Sequence, residues 1–377
     1  MNKRFEVLDA FRGICALSVV VFHMHLVDSF TNLDFFRGSD IFVEFFFVLS
    51  GFVLTHGYGY KKNLQFKAFI KSRFFRIYPL HLFMFVVFIL LEFGKLGAYK
   101  FGGFTFTNEP FTNRFALSEM IPNLLLIQSW TPFTDPLSFN VPSWSISIEF
   151  YLYVILFFTI VMFGKFRKLI WLLIPIVIFL LMIMESDVLV TNVLRGLSCF
   201  FGGAFTYVVY KKVSHRKVPY FLASMIEIGL LITTILVIQT EFEYRSIIAT
   251  LLFYLVVFCF AFEGGMISSA LKIKPFQLAG KLSYSIYMTH AAILFCLTSV
   301  MVIVQKITAI ELAPTIDGVR YLTTGNGMIN NVIVICILGL VMLISNITYK
   351  YVEQKGLALA KQKNKVFMVN VNSVKQC

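Results

Sequence analysis

Long apolar runs, separated by short clusters of basic and polar residues, dominate the chain. Ten of them have roughly the length of a bilayer-crossing helix, at 9–27, 40–57, 79–94, 143–163, 169–185, 190–209, 219–238, 246–263, 283–305 and 328–348. This pattern predicts an all-α, polytopic helical membrane protein of about ten transmembrane helices. Between the second and third runs, Phe66, Phe69, Ile70, Phe74 and Ile77 recur every three or four residues, with Lys67, Lys71 and Arg73 largely opposite them. That spacing predicts an amphipathic helix on the inner interface within 58–78. The proline- and aromatic-rich stretch 95–142 predicts a folded external cap. Residues 1–350 form one membrane domain, and 351–377 a polar cytoplasmic tail, with the basic part from Lys361 onward expected to be disordered.

Composition agrees with the pattern. Of 377 residues, 58% are hydrophobic and only 14% charged, far below the quarter typical of a soluble domain. The formal net charge of +13 would suggest nucleic acid were it clustered, but its distribution follows the spans instead. With the N-terminus inside, 24 of the 33 basic residues fall on the cytoplasmic side and seven outside. The positive-inside rule therefore puts both termini in the cytoplasm, and attraction to anionic membrane lipid follows as a by-product. Lys3 and Arg4 ahead of an apolar run imitate a secretory signal. Arg12 inside the run and the lack of a small-residue cleavage pattern argue that the segment is retained. The six scattered cysteines predict neither disulfides nor a metal site. No internal repeat is visible.

Ionisable residues inside spans are costly, so they mark candidate chemistry. Arg12 and His23 lie eleven residues apart in the first run, on one helix stripe to within about 20° and separated by about 16 Å along the axis. Arg12 falls near the inner end and could simply reach lipid phosphates. His23 falls near the outer end, whereas His25 points about 200° away and is expected at the interface. Glu149 enters the fourth run to about 9 Å, a depth similar to that of His23, and a carboxylate there must be paired or neutral. A neutral imidazole near a carboxylate can activate a hydroxyl. Arg195, entering from the outer end of the sixth run, is the alternative charge partner for Glu149. At the inner face, Arg73 and Arg76 are three apart and suited to phosphate oxygens, of lipid or of a ligand. Tyr287 and His290 are helical neighbours in the ninth run, expected about 10 Å from the inner surface, and either line a donor channel or tie helices together. No glycine-rich phosphate loop, nucleophile elbow or zinc-binding histidine pair is present.

Five segments in order, LDAFRGICALSVVVFH from residue 8, FVEFFFVLSGFVLTH from 42, RFFRIYP from 73, VPSWSISIEFYLY from 141 and AGKLSYSIYMTH from 279, carry a resemblance. The chain resembles the acyltransferase-3 family of integral membrane O-acyltransferases, in a stand-alone form without the soluble hydrolase-like domain of some relatives. The resemblance implies a cytoplasmic acyl-CoA donor, most often acetyl-CoA, and no tightly bound cofactor. It also implies an acceptor hydroxyl on a surface polysaccharide, lipid-linked glycan or similar molecule, and residence in a bacterial cytoplasmic (inner) membrane. His23 takes the place of the family histidine, Arg12 that of its paired arginine, and Arg73 and Arg76 that of its double-arginine motif near the donor phosphates. A polysaccharide-assembly or periplasmic acyl-transfer partner would be compatible with this form. Acceptor specificity is expected in the external loops 95–142 and 306–327. The competing reading is a transporter or flippase that uses the buried Arg, His and Glu as a relay.

Overall fold

The computed structural model describes residues 3–104, 109–216 and 218–360. All ten predicted runs coincide with helices: α1 (Glu6–Phe22), α3 (Phe42–Tyr58), α4 (Phe66–Gly102), α6 (Ser143–Phe163), α7 (Arg167–Ile183), α8 (Thr191–Val213), α9 (Tyr220–Gln239), α10 (Arg245–Phe260), α12 (Lys274–Thr308) and α13 (Gly327–Thr348). Three short helices, α2 (Asp34–Arg37), α5 (Met120–Leu125) and α11 (Met266–Leu271), join them. Among the described residues, seven continuous helical stretches are long and apolar enough to cross a membrane. One of them, Ser143–Ile183, contains both α6 and α7, whereas α1 and α10 are too short to count. A single two-residue hairpin, β1 (Thr315–Ile316) with β2 (Val319–Arg320), is the sheet content described.

The chain divides into two compact units. The first comprises residues to Gly59 and Lys168–Ser345. Its interior is built on two tight helix pairs, α1 with α12 and α3 with α8. Glycine permits both approaches. A Cβ on Gly280 would overlap the Asp9 carbonyl, one on Gly13 the backbone at Ala279, and one on Gly51 or Gly203 a carbonyl of the facing helix. Small residues at the seam let membrane helices gain close van der Waals contact where lipid offers no hydrophobic drive. The helices differ accordingly: 78% of the most apolar stretch of α8 is buried but only 17% of that of α9, whose remaining surface suits lipid. Gly280→Val is expected to destabilise the protein by about 1–3 kcal/mol through overpacking, and Gly280→Ala by less. Thermal unfolding in detergent measures this; unchanged stability for the valine variant would show that the seam can open without cost.

The second unit comprises Tyr60–Arg167 with the chain from residue 346 onward. Here the expected interfacial helix and the third span are not separate elements. α4 runs unbroken from Phe66 to Gly102 through Pro79. Phe66 and Phe69 pack edgewise or tilted on Phe157 of α6, and a Cβ on Gly356 would meet Pro79, so the proline lies within packing. A helix-interior proline is tolerated in membrane helices when neighbouring groups absorb the local disruption. Of the expected 95–142 cap, Lys95–Gly102 extends α4, residues 105–108 lie outside the described residues, and 109–142 fold against the start of α6. Asn123 donates to Ser138 Oγ (2.7 Å) and Glu119 O (3.0 Å), Trp130 Nε1 to Ser147 O (3.1 Å) and Ser147 Oγ to Leu126 O (2.6 Å), tying the loop to the start of α6. Residues 351–360 continue a helix, π-wound over Tyr349–Glu353; the predicted disordered tail from Lys361 lies outside the described residues.

Candidate active site

The α1–α12 seam carries most of the candidate chemistry of the first unit. At one end Arg12 donates from Nε to Ser283 Oγ (2.8 Å) and from Nη2 to Gly280 O (3.3 Å), with Asp9 Oδ1 3.8 Å away. The arginine is thus held by the facing helix. Eleven residues on, His23 meets the same helix through His290. α1 ends at Phe22, however, instead of continuing to residue 27, so His23 is the C-terminal cap of the helix rather than a residue buried inside it. Its backbone N–H still reaches Val19 O.

His23 Nδ1 lies 2.9 Å from the Val19 carbonyl oxygen, a pure acceptor. In the neutral ring Nδ1 therefore carries the proton, and Nε2 is the lone-pair nitrogen. The ring centre is 5.0 Å from that of His290. His290 repeats the arrangement: its Nδ1 lies 3.3 Å from Ile286 O, and its Nε2 is enclosed without a hydrogen-bond partner among the described residues. Two imidazoles thus face one another with their basic nitrogens not engaged by these carbonyls. Tyr287 stands beside His290 at 6.0 Å and is packed edgewise by Phe46. The helix that carries His290 starts earlier than the predicted run. That helix begins at Lys274, so His290 is sixteen residues along it, about 24 Å by helical rise. The early turns carry Lys274 and Lys281, which interrupt the apolar run and hid the true length.

The turn holding His23 is fixed by Arg37, which no motif in the sequence singled out. Its Nη2 donates to Val21 O (2.9 Å) and Met24 O (2.8 Å), its Nε to Thr31 O (2.7 Å). A guanidinium on the last carbonyls satisfies groups that the helix itself cannot and complements the dipole. Arg37 Nη1 also donates to His25 Nδ1 at 2.9 Å. In this external segment, beyond the helix, burial and then the charge of Arg37 push the His25 imidazole down to about 4, which keeps it the neutral acceptor. The outer loop closes over the segment: Leu322 N donates to His25 O (2.8 Å), Val27 N to Leu322 O (3.0 Å), and Tyr321 lies 5.3 Å from the His25 ring. The 306–327 loop therefore contacts the chain immediately after His23.

Arg195 has a carboxylate partner that the sequence reading passed over. Its Nε donates at 2.8 Å to Glu44, which is fully buried and also accepts from Ser246 Oγ (2.5 Å) and Thr250 Oγ1 (3.0 Å). An acid four residues inside the second apolar run, among phenylalanines, was the available signal.

The remaining candidates belong to the second unit. Glu149, on the second turn of α6, accepts a hydrogen bond from Tyr153 OH at 2.6 Å. Arg73 and Arg76 share one face of the early part of α4. Arg73 Nη2 donates to Ser72 Oγ (3.1 Å), while Arg76 pairs with the buried carboxylate of Glu353. Among the described residues, no cluster of histidine, cysteine and carboxylate side chains could hold a metal ion.

The fold and these residues define a multi-pass helical membrane protein with a histidine pair at one end of a tight helix seam. A family model described as an acyltransferase domain matches residues 5–350, and the chain belongs to this family, acyltransferase-3. The chain is 32% identical over 159 residues to the acyltransferase MdmB of Streptomyces mycarofaciens, covering 40% of this chain and 38% of that protein. It is 43% identical over 82 residues to "Protein 2 in picA locus" of Rhizobium radiobacter, covering 21% of this chain and 41% of that protein. The chain thus spans about two fifths of the length of these curated relatives. No solved structure matches it.

Proposed function

We propose that the protein is a membrane O-acyltransferase of a bacterial cytoplasmic membrane, taking an acyl group, in the first instance acetyl, from cytoplasmic acyl-CoA to a sugar hydroxyl. Surface polysaccharide or lipid-linked glycan is the proposed acceptor class. The observation that supports this best is the 2.9 Å approach of His23 Nδ1 to Val19 O, which a neutral imidazole satisfies by donating from Nδ1 and keeping its lone pair on Nε2.

In this reading His23 Nε2 takes the proton of the acceptor hydroxyl as its oxygen attacks the thioester carbonyl. The carbon–sulfur bond breaks as the tetrahedral intermediate collapses, and the imidazolium returns the proton to the departing CoA thiolate. His290 and Tyr287 line the reacting end of the donor path. Arg12, held against Ser283, positions the donor, and Arg73 and Arg76 take its phosphates. Glu149 is assigned to the transfer step. Because Arg76 is paired with Glu353, a donor phosphate would have to share or displace that carboxylate.

The test uses membranes from cells with and without the protein, given acetyl-CoA labelled in the acetyl group. Glycan-bound label that depends on the protein is the expected result. Movement of an unmodified glycan or metabolite across the membrane, with no label transferred, would replace this reading with the transporter one.

A further inference from the structure

A cavity of about 570 Å³ opens in the first unit at the cytoplasmic ends of α8, α9 and α10, where nothing in the proposed transfer reaction is assigned. Its wall is mainly apolar and includes Phe258, Phe262, Val218 and Ile226. Val218 and Ile226 are themselves exposed apolar side chains at the start of a helix whose surface is largely unburied, so the edge of the cavity that they form is within reach of lipid.

Two cations stand at it, Lys3 and Arg216. Lys3 Nζ donates to Tyr210 OH (3.0 Å) and Ala261 O (2.8 Å), which fixes the ammonium while leaving its third N–H. Arg216 makes no side-chain hydrogen bond or ion pair among the described residues. The one acid lining the cavity, Glu227, is buried and already accepts from Gly265 N (2.9 Å), Ser268 N (3.0 Å) and Ser268 Oγ (2.5 Å). Its charge is spent on the N-terminal turn of α11. The cavity therefore combines an apolar body reachable from the bilayer with a cationic mouth at the inner surface.

We infer that this cavity binds one anionic phospholipid, with its phosphate between Lys3 and Arg216 and an acyl chain along Val218, Ile226, Phe258 and Phe262. A soluble anion would use the mouth alone, whereas a phospholipid matches both parts. Inner-leaflet anionic lipid is attracted to basic residues at the surface, and two contacts together correspond to a preference of roughly tenfold or more.

The full chain, purified in phosphatidylcholine nanodiscs and titrated with phosphatidylglycerol, is the system to use, with native mass spectrometry counting retained lipid. The expected result is one phosphatidylglycerol retained roughly tenfold over phosphatidylcholine, lost in a Lys3→Gln/Arg216→Gln double variant whose thermal unfolding in phosphatidylcholine is unchanged. Ala223→Trp, which fills the cavity without altering charge, should also release the lipid. Equal retention of both lipids, or a preference that survives the double variant, would overturn the inference. Displacement by millimolar glycerol 3-phosphate would assign the mouth to a water-borne anion and overturn it too. None of these outcomes depends on acyl transfer.

Discussion

Replacing His23 by alanine is expected to lower acyl transfer by roughly a thousandfold while leaving the protein in the membrane at its normal level. The imidazole is the base in the proposed reaction, and its loss removes the acceptor of the hydroxyl proton rather than a helix contact of much weight. His23 lies at the helix end, so the substitution leaves the α1 hydrogen-bond ladder and the Arg37 cap in place. His23→Gln should be almost as inactive, because an amide offers shape and polarity but no useful basicity. Transfer of labelled acetyl to glycan, normalised to protein in the membrane, measures the effect. Activity within a few-fold of normal in the alanine variant would remove His23 from the chemistry. The same assay, quenched early, separates two routes: acyl label trapped on the normal protein would point to an acyl-histidine, and rapid turnover without it to direct attack by the hydroxyl.

Much of the architecture was legible because the bilayer requires it. Apolar runs of spanning length and a cytoplasmic excess of basic residues are direct consequences of the membrane as solvent, and each predicted run coincides with a helix. The ends were harder to read. The predicted break between 58–78 and the run from 79 falls at Pro79, but packing around it carries α4 through, and the lysines near the start of α12 hid nine helical residues. Arg12 and His23 could be placed on one stripe because the period of a helix is fixed. That their common neighbour is α12 could not, since Ser283 and His290 are more than 250 positions away and only the glycine seam brings them near. Arg37 was out of reach for a different reason. Its role depends on carbonyls at the end of α1, and carbonyls are the same at every position. Glu44 was within reach: a carboxylate among phenylalanines in a span requires a partner, and Arg195 also required one.

That pair carries the second large effect. Glu44→Ala is expected to cost about 3–5 kcal/mol of stability, the range found when one member of a buried ion pair is removed. Glu44 is fully buried and joins three helices, accepting from Arg195 on α8 and from Ser246 and Thr250 on α10 while itself standing on α3. Removing it takes a carboxylate from the guanidinium and an acceptor from each hydroxyl, in surroundings where water is a poor substitute. Glu44→Gln should cost less, because the amide oxygen still accepts while the formal charge is lost. The informative comparison is a Glu44→Met/Arg195→Met double variant, which removes both charges and restores apolar volume. Paired replacement of buried ions is often nearly neutral, so the double variant should recover most of the stability lost by Glu44→Ala. Thermal unfolding of the four proteins in one detergent provides the measurement. A double variant as unstable as Glu44→Ala would mean that packing, not charge, sets the cost. The folded fraction of each variant should retain its rate of acyl transfer per molecule, because no group of the pair belongs to the His23–His290 seam.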